Sequence, residues 1–198
     1  MQQPPDQALT IKLNGTGERL TMWRTLDSQG GQELQMTGCL PGRQHGPPLH
    51  VHFAEDESTE VVAGALSVSL DGREFVVDTN DVAFFPKGSV HRWWNDGEED
   101  LVFRGFAAPA VDLDRYLQAL FEVINSAQSK NPSVFYMAHL VYRHRKTQLA
   151  LEVPRLIQQI LFPIVICAGT LLGKYRGTNW PGCPLRCTGA AFMPQEND

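Results

Sequence analysis

Two short segments of the 198-residue chain concentrate side chains able to do chemistry. The first runs from Gly46 through Pro47, Pro48, Leu49, His50, Val51 and His52 to Glu57, and on to Gly64. His50 and His52 are two apart, so on a strand both imidazoles project from the same face. Phe53 to Asp56 would make a turn, and Glu57 would open the returning strand beside them. The second segment is Pro86-Lys87-Gly88-Ser89-Val90-His91, followed by Trp93, Trp94 and Asn95. Pro86 and Gly88 make a tight entry to a strand that would carry His91 inward. Imidazoles and carboxylates are the groups that ligate transition metals and move protons near neutral pH. No residue stands out as a general acid, a general base or a nucleophilic cysteine, so the catalytic residues are unknown at this level.

The elements that must position these groups read as short strands. From about Leu9 to Pro109, runs rich in Val, Phe, Thr and Leu are broken by Asn14-Gly15, Gln29-Gly30-Gly31, Asp71-Gly72, Lys87-Gly88 and Asp96-Gly97. Strands and turns at this spacing point to an all-β sandwich or barrel. Leu66, Val68 and Leu70 share one face of an alternating run. Trp93 shares the face of His91, and Thr59 and Val61 share that of Glu57. These three are the candidates for lining a small, mostly apolar substrate pocket. Glu55 and Asp56 read as a solvated acidic turn, and His45 as a loop residue near the mouth.

After Pro109 the period changes from two to 3.6. Leu113, Tyr116, Leu117, Leu120, Phe121 and Ile124 fall on one helical stripe, with Asp112 placed to cap it. A second helix is expected from Asn131-Pro132, with Val134, Met137, Ala138 and Val141 on its inner face. His139 and His144 do not share a face and read as bystanders. A third helix starts near Pro154. Its apolar stretch over 156–173 is about 18 residues long, near the lower limit for crossing a membrane, and Pro163 interrupts it. That length fits packing on the barrel's outer face or across a dimer interface better than membrane association, which stays the minority alternative. Residues 1–8 read as a flexible leader and 177–198 as an irregular tail.

The two chemical segments together resemble the paired motifs of the cupin superfamily. His50, His52, Glu57 and Gly64 match G-x5-H-x-H-x(3,4)-E-x6-G, with Gln44 in place of the leading glycine. Pro86, Gly88, His91 and Asn95 match G-x5-P-x-G-x2-H-x3-N, with Asn80 in place of its glycine. Asparagine tolerates left-handed backbone angles, so that departure is mild. The resemblance covers roughly 9–109. It implies an all-β core, a double-stranded β-helix (jelly-roll or cupin barrel), followed by two or three C-terminal α-helices over 110–176. It also implies His50, His52, Glu57 and His91 as ligands of one divalent transition metal. Such a donor set suits Fe, Mn, Ni, Co, Cu or Zn rather than Mg or Ca. Four protein ligands leave two positions open in six-coordinate geometry.

Composition narrows the function classes. A net charge of -5 and a pI near 5.7 argue against nucleic acid as a partner. The one dense basic cluster, Arg143 to Lys146, reads as a solvated helix end. The N-terminus shows no signal-peptide pattern, so a cytoplasmic location with reduced cysteines is expected. Cys183 and Cys187 lack the usual zinc spacing, and Cys39 and Cys167 read as small core residues. What the resemblance implies is a metal-dependent enzyme acting on a small organic substrate. An aromatic or polyketide-like molecule suits the apolar lumen. The chemistry would be dioxygenase-like, or a Lewis-acid lyase, isomerase or cyclase reaction. The alternative is a non-catalytic, metal-containing small-molecule binder. A storage-type structural protein ranks third, because such barrels need no metal. A homodimer is expected.

Overall fold

The computed structural model describes residues 4–6, 8–127 and 132–175. Much of the proposed leader, together with Asn131, Cys183, Cys187 and the tail over 177–198, lies outside them. Twelve strands come in chain order: β1 (Leu9–Lys12), β2 (Arg19–Leu26), β3 (Gln32–Leu40), β4 (Gln44–His45), β5 (His50–His52) and β6 (Asp56–Ala63), then β7 (Leu66–Leu70), β8 (Arg73–Val77), β9 (Val82–Phe85), β10 (Val90–Asn95), β11 (Leu101–Ala108) and β12 (Gln148–Ala150). The helices are α1 (Leu113–Asn125), α2 (Val134–His144) and α3 (Arg155–Leu171). One sheet is ordered β1-β2-β3-β11-β6-β9. The other is ordered β12-β5-β10-β7-β8, with β4 also pairing β10. All pairings are antiparallel, and the sheets enclose a core to which both contribute: Leu20, Leu40, Val61, Phe85 and Phe103 from the first, Leu66, Val68 and Trp93 from the second. This is the jelly-roll core with C-terminal helices that the motifs imply.

Local chemistry explains the turns that frame the site. Asn80 stands at φ 74°, so the position vacated by glycine does need a left-handed backbone, and asparagine supplies it. A side chain at Gly46 would collide with the Trp93 carbonyl, which explains a glycine two positions from where the motif expects its own. Asn95, buried at the end of β10, donates to the carbonyls of Leu40, Pro41 and Glu99 and so stitches the β3–β4 and β10–β11 connections together.

The C-terminal region differs from expectation in several ways. A short strand, β12, joins the second sheet beside β5, where only helices were expected. Asp112 precedes α1 without a side-chain capping bond; its carboxylate instead accepts from His144 Nδ1 at 2.7 Å. His144 is therefore buried and paired to the residue before α1. On α2 the buried residues are Ala138, Leu140 and His144, while Val134 is 62% exposed at the first turn. α3 is continuous through Pro163 and packs on α2, with Gln158 also donating to the Ala150 carbonyl at the end of β12. Its Leu156, Ile160 and Ile164 face outward. No helix among the described residues is long and apolar enough to cross a membrane. Cys167 is exposed, and Cys39 is half-buried with its thiol 3.7 Å from the Asp100 carboxylate, so neither is a core residue.

Candidate metal centre

The period of two on β5 turns His50 and His52 to the same side, and β10 runs antiparallel beside it with His91 directly opposite His50. The three imidazole centroids lie 4.3–5.5 Å apart. Glu57 comes from the facing sheet, on β6 between β9 and β11. One ligand atom from each of His50, His52, Glu57 and His91 lies within 4.8 Å of the others. The cluster therefore bridges the two sheets of the barrel.

Orientation favours a shared cation. His50 Nδ1 is 2.7 Å from the Pro48 carbonyl and His91 Nδ1 is 3.2 Å from that of Ser89, so in each ring Nε2 is left for the centre. His91 is 1% exposed, and its Nε2 has no hydrogen-bond partner. A buried, unpaired ring nitrogen is costly unless something occupies the position it faces. Glu57 Oε2 lies 3.4 Å from His52 Nε2 and 3.7 Å from His91 Nε2, a common vertex for both rings. Burial, helped by the neighbouring imidazoles, pushes His50 down to about 3, which keeps it neutral as a ligand must be. Burial opposes ionisation of Glu57, but the close His91 imidazole and its histidine neighbours outweigh it and bring the carboxyl to about 2. These residues fit a divalent cation.

Glu55 corrects the sequence reading. It is fully buried and not solvated: its Oε1 accepts from the Val111 backbone N–H at 3.0 Å, and its Oε2 lies 3.5 Å from His52 Nδ1. Burial would lower the pKa of His52, but the Glu55 and Glu57 carboxylates outweigh this and raise it. Asp56 accepts from the Lys87 backbone and ties the two motif loops together.

A cavity of about 290 Å³ opens beside the cluster, lined by His50, His52 and Glu57. Thr59 and Trp93 line it as well, but Val61 does not; it is fully buried in the core. His45 reaches the same cavity from β4. The apolar stripe of α1 closes one side, through Leu113, Tyr116, Leu117, Leu120, Phe121 and Ile124. That helix is clamped at both ends. Arg24 makes paired bonds of 2.7 and 2.9 Å to Asp114, while Asn125 bonds the backbone of Lys12 and Asn14.

Two lining residues carried no signal that sequence reasoning could use. Gln148 lies on β12 opposite His52, 5% exposed, with its amide nitrogen unpartnered. Glu18 precedes β2, is 8% exposed, and burial raises its carboxyl to about 7. A patterned β12 or a carboxylate amid apolar residues at the start of β2 would have been the only hints.

Comparison with known proteins agrees with this picture over part of the chain. Residues 36–107 match the family model "Cupin domain". "Oxidoreductase iacF" of Pestalotiopsis fici is 42% identical over 79 residues, covering 38% of this chain and 39% of that protein. "Probable oxidoreductase virH" of Hypocrea virens is 31% identical over 107 residues, covering 49% and 48%. The chain thus spans less than half the length of these curated relatives. Among solved structures, KdgF from a Halomonas species aligns with a TM-score of 0.44 at 20% identity, over 54% of this chain and 90% of that one. Residues 36–107 of this chain thus form a cupin domain, and all four donors described above lie within it.

Proposed function

We propose that this chain is a metal-dependent oxidoreductase acting on a small organic molecule held in the cavity beside His50. His50, His52, Glu57 and His91 would hold the metal. The observation that carries this reading is the meeting of four donors, one of them the unpartnered His91 Nε2, at the wall of a partly open and largely apolar cavity. Bound there, a redox-capable divalent cation would supply electron transfer and Lewis-acid polarisation.

The chain's own residues do the rest. Glu55 and the Pro48 and Ser89 carbonyls fix the rings, and the α1 stripe keeps bulk water from the substrate. The oxidoreductase names of the two partial relatives support redox chemistry over a lyase or isomerase reaction.

The test has two parts. Protein purified without chelators should carry close to one equivalent of a transition metal. The iron-loaded form should consume oxygen with some member of a panel of phenols, flavonoids and diketones. Metal-free protein that cannot be loaded ends the proposal. Full loading with turnover but no electron transfer moves the assignment to Lewis-acid chemistry.

A further inference from the structure

We propose that the molecule this cavity takes is uncharged and apolar-bodied, with one oxygen at the metal side, where the Gln148 amide meets it, and a second, accepting oxygen hydrogen-bonded by Glu18. The metal end of this inference rests on the reading above; the Glu18 end does not.

The walls set the substrate's body. Between the two polar ends the lining is Leu20, Met36, Trp93, Phe103, Leu117 and Phe121. No lysine or arginine lines the cavity among the described residues. A phosphate or carboxylate away from the metal would be buried there with no cation to pair it, which is strongly unfavourable. Charge is thus selected against by what the walls lack.

Glu18 sets the far end: it precedes β2, which β3 and β11 separate from β6 and Glu57 in the first sheet. It lines the cavity almost fully buried, and among the described residues no side chain bonds or ion-pairs its carboxyl. The only bond at this residue with a side chain is from its backbone N–H to Thr16. Burial alone raises its pKa to about 7, with no charged neighbour contributing. The other titratable groups along the cavity are His45, His50, His52, Glu57 and Tyr116, and Arg19 beside it on the chain points to solvent. Burial pushes Tyr116 up to about 12, so its hydroxyl does not titrate in the working range. Below about pH 7, Glu18 therefore offers a proton to an acceptor and has none of its own partners to satisfy it.

Gln148 sets the near end. It stands directly across from His52, on a strand outside the matched cupin domain. Its amide nitrogen is buried with no partner. A buried donor left unpaired lowers stability, and a bound oxygen would repair it.

The experiment uses the zinc-loaded full chain and three fluorescent probes: 2-naphthol, 6-acetyl-2-naphthol and naphthalene-2,6-dicarboxylate. At pH 6 the acetyl compound should bind about tenfold tighter than 2-naphthol, one hydrogen bond's worth. Glu18→Leu should abolish that gain and leave 2-naphthol unchanged. Glu18→Gln should keep the gain at pH 6 and hold it at pH 8.5, where the wild type loses it. The dicarboxylate should bind more weakly than 2-naphthol at pH 8. Gln148→Leu should weaken both naphthols by a similar factor of about ten without lowering the thermal midpoint, whereas a merely structural glutamine would lower it. A dicarboxylate that binds as tightly as 6-acetyl-2-naphthol, or a gain that survives in Glu18→Leu, overturns the inference. Stoichiometric zinc with no discrimination among the probes sinks this inference alone. Failure to take up zinc sinks the metal-dependent reading instead, and the Glu18 comparison is then decided in the metal-free protein.

Discussion

Glu57 and Glu18 line the same cavity and are both nearly inaccessible to water, yet they are driven in opposite directions. Glu57 faces His52 and His91 and is held near 2; Glu18 faces apolar side chains and is lifted to about 7. Burial penalises the charge of both. What separates them is whether a partner stands close enough to repay that penalty. One end of the cavity is thereby built for a permanent anion beside a cation, the other for a carboxyl that keeps its proton near neutrality. A site with two carboxyls in different protonation states can hold and protonate at separate places.

The largest effect expected on this contrast comes from removing a partner of Glu57. His91→Ala should lower metal affinity by more than about a thousandfold and abolish activity while the barrel still folds, because an open ligand position cannot be filled from the core around it. Metal analysis and circular dichroism read both, and a full equivalent of retained metal would refute the ligand set.

Next comes the isolated carboxyl. The folded pKa of Glu18 lies above its unfolded value of 4.5, so its cost to stability is absent below about pH 4.5, grows from there to about 7, and is constant above. Glu18→Gln removes that cost. Denaturant unfolding should show the variant more stable by up to about 3 kcal/mol at pH 8 and equal to wild type at pH 4. Equal stability at both pH values would mean that Glu18 is not desolvated and that the contrast is false.

The smallest effect concerns how the metal end is supported. Glu55→Gln keeps the shape beside His52 and removes the charge, and should weaken metal binding by about tenfold. Unchanged affinity would assign Glu55 to holding the Val111 backbone alone.

The metal end was legible in the sequence because its geometry is local. Two histidines on a period of two, a four-residue turn and a returning strand fix three donors within eight residues, and Pro86-Lys87-Gly88 aims the fourth. The stripe of α1 was legible for the same reason. Its role in closing a cavity was not, since that depends on Arg24 reaching Asp114 across ninety positions. Glu55 was misread because an acidic turn looks the same in sequence whether it meets water or the Val111 backbone. Glu18 and Gln148 are single polar residues without periodicity, and a three-residue strand such as β12 exists only because β5 is there to receive it. Val134 failed as an inner-face residue because it begins its helix at an exposed first turn.

The placement of β12 has a practical consequence. β5 is only three residues long, with β10 on one side and β12 on the other. A fragment ending at Pro109 would keep every residue of the motifs and still strip one flank from the strand that bears two of the histidines. The bare N–H and C=O groups would then be open to pairing with another molecule. Anyone trimming this protein to its smallest folded version should cut no earlier than Val153, or expect aggregates.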